Sequence, residues 1–128
     1  MSRRTTLGRV LGHGSAKEGV GHWWVQRLTS VALVPLGAWF VLSLLALPAL
    51  DYPTVVGWIQ GGATALLLIL LVATAAWHSQ LGVQVVVEDY VHARGWKTLV
   101  LTLVTFAHVL AAAAGVLAVL QIALRGAA

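Results

Sequence analysis

The residue whose type and position could do the most chemistry in this sequence is His78, which lies in the middle of a long run without charged residues. The run ends at Glu88, and Asp89 and Tyr90 follow it directly. If the run crosses a membrane, an imidazole at that depth is costly unless one of its ring nitrogens binds a partner group. The sequence therefore predicts a ligand or hydrogen-bond role for His78, and an acidic and phenolic cluster where the helix emerges into water.

Gly82 lies one helical turn after His78, on the same face of a helix. Its missing side chain would let a flat macrocycle lie against the backbone, and Ala75 supplies a second small neighbour on the other side. This spacing is compatible with axial ligation of a haem by His78. The chain has no cysteine, which excludes an iron-sulfur cluster, a disulfide or a thiolate metal site within it.

The other histidines carry weaker signals. His13 and His92 fall in a predicted arm and a predicted loop, and His22 stands beside two tryptophans at a position typical of a membrane interface. His108 lies in the middle of the last apolar run, at a depth similar to that of His78. It could form a hydrogen bond between helices or ligate a haem, and the sequence leaves both roles open.

Three runs without Asp, Glu, Lys or Arg must position these residues, and they cover 28–50, 55–87 and 98–124. Each exceeds the ~20 apolar residues that a helix needs to cross ~30 Å of hydrocarbon. The sequence of 128 residues is 59% hydrophobic and 9% charged, with a mean hydropathy of +0.89, and it lacks the alternation of a membrane barrel. We therefore predict an all-α membrane protein with three transmembrane helices, in which residues 1–128 form a single membrane-anchor domain with an N-terminal arm at 1–27.

The distribution of the basic residues predicts the orientation. Most of the 8 lysines and arginines precede the first run or lie between the second and third, and only Arg125 falls on the other side. By the positive-inside rule the N-terminus and the loop from Glu88 to Lys97 are cytoplasmic, and the C-terminus is periplasmic. The net charge of +4 then indicates contact with anionic membrane lipid, with no nucleic acid required.

Local signals predict how the helices end and pack. The stretch LPALDYPT at 47–54 ends the first predicted helix, and Thr54 is a candidate N-cap for the second helix. The small residues from Ala111 to Gly115 form a smooth patch on the third helix, which predicts close approach of a neighbouring helix.

Together, His78, Gly82, Asp89 and Tyr90 resemble the His-xxx-Gly and Asp-Tyr signature of the small hydrophobic membrane anchor subunit of succinate dehydrogenase, respiratory complex II. The stretch HWWVQRLTS at 22–30 resembles the same family's sequence at its first helix, and the resemblance extends over nearly the whole chain. It implies a heterotetramer in a bacterial cytoplasmic (inner) membrane. The partners would be a flavoprotein subunit, an iron-sulfur subunit and a second cytochrome b anchor subunit, with electron transport linking the tricarboxylic acid cycle to the respiratory chain.

The resemblance also implies roles for single residues. His78 would supply one axial ligand to a haem b shared with the second anchor, with Arg27 and Gly82 as further haem contacts. Tyr90, Asp89 and Arg27 would bind ubiquinone, the substrate of the membrane domain. The chain would not be a catalyst alone, since succinate oxidation needs the flavoprotein.

Chemical reasoning supports these roles without deciding them. Quinone reduction consumes two electrons and two protons, and a phenol such as Tyr90 can donate a hydrogen bond to a quinone oxygen. Arg27 could equally be a topology anchor, and Glu88, Asp89 and His92 could be a solvated loop.

Two other classes of protein remain as alternatives. The first is a stand-alone membrane cytochrome in which His78 and His108 both ligate one haem. The second is a non-redox scaffold protein whose histidines only form hydrogen bonds between helices. Co-purifying subunits, haem retained by the isolated chain, or a colourless protein would distinguish the three.

Overall fold

The computed structural model describes residues 19–125, and all of its elements in that range are α-helices. They are α1 (Gly19–Leu45), α2 (Tyr52–Ile59), α3 (Gly62–Tyr90) and α4 (Arg94–Arg125). Within the described residues, three of the helices, α1, α3 and α4, are long and apolar enough to cross a membrane. The predicted all-α architecture with three candidate spans is confirmed, because each of these helices carries most or all of one charge-free run.

The helix bounds differ from the predicted ones at the first span. α1 begins at Gly19 and ends at Leu45, whereas the apolar run covers 28–50. Residues 19–27, which the sequence assigned to the arm, are helical, and the rest of that arm lies outside the described residues. The apolar run marks what can lie in hydrocarbon and does not mark helix ends, since a residue such as Arg27 continues a helix well.

The second predicted span is divided into two helices. α2 ends at Ile59 and α3 begins at Gly62, so the helix is interrupted at Gln60 and Gly61, within the run expected to be one helix. Consecutive glycines disfavour helix through their backbone freedom. A Cβ added at Gly61 would lie 3.3 Å from the Trp58 carbonyl oxygen, so the break is also too tight for a side chain without adjustment.

Asp51, and not Thr54, is the N-cap of α2. A carboxylate oxygen of Asp51 accepts a hydrogen bond from the Thr54 backbone N–H at 3.0 Å, and Pro53 lies in the first turn. Hydrogen bonds from the Thr54 side chain and backbone hold the pKa of Asp51 below its ordinary value. Trp58 of α2 stacks on Trp39 of α1 with ring centroids 5.9 Å apart, which fixes the short helix against the first span.

α3 is the central helix of the bundle. It packs against α1 on one side and α4 on the other, while the backbones of α1 and α4 make no close approach to each other in the described residues. Only four apolar side chains in that range are buried, Ala65, Leu68, Leu81 and Val87, and all of them lie on α3. Many of the other large apolar side chains are exposed, as expected for helices that contact lipid or neighbouring subunits.

Candidate functional site

The centre of the candidate site is a contact between α1 and α3 that joins Thr29 to His78. The Thr29 hydroxyl oxygen lies 2.9 Å from the Nδ1 atom of His78. Thr29 is the one buried polar residue of the described range, with 6% of its surface exposed, and His78 is half-buried. The structure records no hydrogen bond from His78 Nε2 to any group of residues 19–125. One nitrogen of the imidazole is therefore held by this chain, and the other is available.

Two more polar side chains extend this face of α1. Gln26 lies one turn and His22 two turns before Thr29, so all three project from the same side of the helix. Within the described residues, the Nε2 atom of His22 and the Oε1 atom of Gln26 are buried without a hydrogen-bond partner. Buried polar atoms of this kind normally have partners, so the two atoms indicate that a further polar group belongs here.

Gly82 faces the same stripe of α1. A Cβ added at Gly82 would lie 3.8 Å from the Nε2 atom of Gln26, which is an ordinary van der Waals distance. The packing of this chain alone therefore does not require glycine at the position. The predicted role of Gly82 beside a haem stays a prediction.

Arg27 lies on a different part of α1 and is exposed. Its guanidinium is 5.5 Å from the centre of the Trp23 ring, a cation–π contact, and Trp23 also meets Trp24 edge to face at 5.4 Å. This contact fixes the arginine side chain near the first turns of α1, where it could serve a ligand or a membrane surface.

The acidic and phenolic cluster lies at the C-terminal end of α3. Tyr90 is 78% exposed, and neither its hydroxyl nor the Asp89 carboxylate has a recorded hydrogen bond within the described residues. Glu88 is held instead: its carboxylate accepts from Gln84 at 2.8 Å, and its carbonyl oxygen accepts from the Lys97 ammonium at 2.8 Å. The side chains of Tyr90 and Asp89 are thus exposed. The end of α3 that carries them is connected to α4 by the hydrogen bond from Lys97.

His92 is also near this end of α3, and its side chain forms a hydrogen bond with the backbone of the same segment. Its Nδ1 atom lies 3.1 Å from the Tyr90 carbonyl oxygen, so it donates to the backbone there. The structure therefore gives His92 a role in shaping the loop and no contact with the Tyr90 hydroxyl.

His108 has a different environment from that of His78. Its Nδ1 atom is 2.8 Å from the Val104 carbonyl oxygen, which can only accept, so Nδ1 carries the proton and donates. Its Nε2 atom then accepts from the Ser79 hydroxyl at 3.2 Å. Both ring nitrogens are used, Nδ1 within α4 and Nε2 between α4 and α3, and the second contact is the interhelical hydrogen-bond role that the sequence left open.

Sequence reasoning gave Thr29 no role of its own. The available signal was the spacing of His22, Gln26 and Thr29, which places three polar residues on one face of an apolar helix. What the sequence could not supply was the rotation of α1 about its axis, which decides that this stripe meets His78.

Comparison with known sequences identifies the family of the chain. The sequence profile of the family described as "Succinate dehydrogenase/Fumarate reductase transmembrane subunit" matches residues 1–118. A succinate dehydrogenase hydrophobic membrane anchor subunit from Rickettsia bellii (strain RML369-C) is 33% identical over 88 residues, which are 69% of this chain and 70% of the relative.

Two further relatives extend the match. The hydrophobic membrane anchor subunit of succinate dehydrogenase from Rickettsia typhi (strain ATCC VR-144 / Wilmington) is 26% identical over 105 residues, 82% of this chain and 84% of its own. The succinate dehydrogenase membrane anchor subunit of Reclinomonas americana is 27% identical over 90 residues, 68% of this chain and 73% of its own. No solved structure matches the chain significantly.

The three apolar helices define a multi-pass membrane protein, and the profile match shows that the chain belongs to the family of succinate dehydrogenase/fumarate reductase transmembrane subunits. Within that family it is of the succinate dehydrogenase hydrophobic membrane anchor type, as its similarity to the relatives shows.

Proposed function

We propose that this chain is one of two anchors that hold a succinate:ubiquinone oxidoreductase in a bacterial inner membrane, and that it contributes to a haem b site and a ubiquinone site. The observation that carries the proposal is the state of His78, an imidazole inside a membrane helix with one nitrogen held at 2.9 Å by Thr29 and the other without a partner in residues 19–125. An intramembrane ionisable side chain of this kind is functional by default.

The residues around His78 fit a haem. An imidazole whose second nitrogen is hydrogen-bonded is the usual form of a histidine metal ligand, and His78 has that form. The unpartnered buried atoms of His22 and Gln26 lie on the same face of α1 and could receive polar groups at the rim of the macrocycle. A bound haem would accept and release single electrons at its iron. The second anchor would supply a further ligand to the same haem.

The far end of α3 suits the quinone. The Tyr90 hydroxyl is exposed and unpaired in the described residues, so it can donate to a quinone oxygen. Asp89 beside it can orient that hydroxyl or pass a proton from water. Arg27, held against Trp23, can polarise a quinone carbonyl or pair with a haem propionate.

The N-terminus and the Tyr90 end of α3 would face the cytoplasm, by the distribution of basic residues. The iron-sulfur and flavoprotein subunits would dock on that side and deliver the electrons of succinate. The chain would bind no succinate itself.

The haem half of the proposal is tested by His78→Leu in the purified complex. Loss of an axial ligand should remove or alter the optical spectrum of the reduced haem. His108→Leu is the matched control, a histidine of similar depth whose nitrogens are both engaged by this chain. We expect the control to keep the bis-histidine spectrum. An unchanged spectrum in His78→Leu would exclude ligation by His78, and loss of the spectrum in His108→Leu would favour the stand-alone cytochrome.

The quinone half is tested by Tyr90→Phe, which keeps the ring and removes the hydroxyl. The complex should assemble with its haem and lose a hydrogen bond to the quinone of about 0.5 to 1.5 kcal/mol. Succinate-dependent reduction of a soluble dye should stay near normal while ubiquinone reduction falls by roughly 2- to 10-fold. Full quinone reductase activity with unchanged inhibitor sensitivity would remove Tyr90 from the site.

A further inference from the structure

The hydrogen-bond geometry at Thr29 restricts where the proton of the His78 ring can be. The Thr29 hydroxyl oxygen lies 2.9 Å from the Val25 carbonyl oxygen, 3.0 Å from the Gln26 carbonyl oxygen and 2.9 Å from His78 Nδ1. A hydroxyl has one proton, and carbonyl oxygens can only accept. At most one of the three contacts can be made with that proton at full strength.

Two proton arrangements are possible. In the first, the hydroxyl donates to Nδ1, and then two carbonyl oxygens face the hydroxyl lone pairs at 2.9 and 3.0 Å with no proton between them, which is repulsive. In the second, the hydroxyl donates to the carbonyls and accepts a hydrogen bond from Nδ1–H. All three contacts are then favourable. The second arrangement wins, and its strength is greater in a low-dielectric interior.

From this geometry we infer that Thr29 is a positioning residue that holds the proton of His78 on Nδ1 and leaves the Nε2 lone pair free to coordinate. The inference rests on the proposed ligation by His78 and adds to it the choice of nitrogen, the orientation of the ring and the basicity of the ligand. A hydrogen bond donated by the second ring nitrogen makes an imidazole a stronger ligand.

The ring is supported from the α1 side of α3. Thr29 is buried and tied to the backbone of α1, so its oxygen cannot follow a rotating ring. Ser79, the next residue after His78, donates to His108 of α4 on the opposite side of α3, and this hydrogen bond does not involve the His78 imidazole. Within the described residues, the hydrogen bond that holds the imidazole therefore comes from α1 alone.

The first experiment reads the tautomer without haem. The full-length chain, labelled with ¹⁵N-histidine and reconstituted in lipid vesicles, is measured by solid-state NMR, with His78→Leu assigning the signal. We expect the proton on Nδ1 in the wild-type chain and in Thr29→Ser, which keeps the hydroxyl. In Thr29→Val we expect that preference to be lost. A proton on Nε2 in the wild-type chain overturns the inference, even if Thr29→Val does not assemble.

The second experiment uses the haem-loaded complex. Thr29→Val should raise the midpoint potential of the haem, because a weaker ligand stabilises the ferric state less, and should lower haem affinity by about 10- to 100-fold. Thr29→Ser should restore both. Thr102→Val is the matched control, since the Thr102 hydroxyl also bonds to its own helix, at the Thr98 carbonyl oxygen, but touches no histidine.

The outcomes separate the inference from the proposed function. A haem spectrum that survives His78→Leu overturns the ligation itself. Loss of the spectrum in His78→Leu, together with wild-type potential and affinity in Thr29→Val, overturns the positioning role alone. A shift in Thr29→Val that Thr29→Ser reverses and Thr102→Val does not reproduce supports the inference.

Discussion

The two sides of α3 hold their histidine contacts in different ways. On the α1 side, His78 of α3 uses Nδ1 to meet Thr29 and keeps Nε2 free of the described chain. On the α4 side, Ser79 of α3 meets His108, which uses Nδ1 on the Val104 carbonyl and Nε2 on the Ser79 hydroxyl. Depth in the membrane does not distinguish the two imidazoles. The hydrogen bonds of the ring nitrogens do distinguish them: within the described residues one nitrogen of His78 is available, as the proposed ligation requires, and both nitrogens of His108 are engaged.

The glycines on the two sides of α3 also differ, in how closely the neighbouring helix packs against them. Gly115 of α4 is pressed against α3, where an added Cβ would lie 2.8 Å from Cγ1 of Val72. An added Cβ at Gly82 would meet only Gln26, at 3.8 Å. The predicted smooth patch from Ala111 to Gly115 is confirmed at Gly115 as a close-packed seam. On the α1 side of α3, the space beside Gly82 is therefore not filled by side chains of the described residues.

Among the substitutions that test the difference between the two sides of α3, Gly115→Ala is expected to change the stability of the protein most. The new methyl group collides with a β-branched side chain that has little χ1 freedom, so overpacking should cost about 1 to 3 kcal/mol, offset in part by the ~1 kcal/mol gain in helix propensity. The measurement is thermal or denaturant unfolding of the purified complex. Adding Val72→Ala should recover most of the loss, and failure to recover it would mean that the collision is not the cause.

Gly82→Ala is the matched substitution on the α1 side. Because its added methyl group meets no close neighbour in this chain, the stability of the helices should change by less than ~1 kcal/mol and in the favourable direction. A marked loss of haem in this variant would show that the space at Gly82 is needed by a group outside this chain. Normal haem would remove Gly82 from the haem contacts.

The smallest effect is expected at the bond between Ser79 and His108. A double-mutant cycle with Ser79→Ala and His108→Leu should give a coupling free energy of about 0.6 kcal/mol, the usual size for hydrogen bonds between membrane helices. The haem spectrum should be the same in the wild type, in both single variants and in the double variant. A spectral change in Ser79→Ala alone would contradict the separation of the two sides and tie the α4 contact to the haem site.

The spans could be predicted from the sequence because the absence of charge over more than 20 residues is a local property. The break at Gly61 could not be placed by the same criterion, since both α2 and α3 are apolar and the run contains no charge to interrupt it. The N-cap of α2 at Asp51 could not be identified from the sequence either. Whether Asp51 or Thr54 accepts the first hydrogen bond depends on the backbone of residue 51, which is extended with ψ at 164°.

The site was predictable where one residue type is chemically exceptional in its setting. His78 stands out because imidazole is rare inside apolar helices, and the Asp89-Tyr90 pair stands out by motif. Thr29 does not stand out, because threonine is common in membrane helices and usually bonds to its own backbone, as Thr98, Thr102 and Thr105 do here. Its importance comes from the pairing of α1 with α3, which is a tertiary property.

The length of α3 has a consequence for how protons could reach the quinone. Its 29 residues span roughly 43 Å, and a typical tilt of ~20° leaves about 40 Å along the membrane normal, some 10 Å more than the hydrocarbon layer. The excess must fall at the Tyr90 end, because that end carries Gln84 and Glu88 while the opposite end is apolar. Tyr90 and Asp89 then stand among hydrated lipid head groups. At that level water would be within reach of both side chains, and the proposed quinone reduction would then need no chain of proton carriers through the helices.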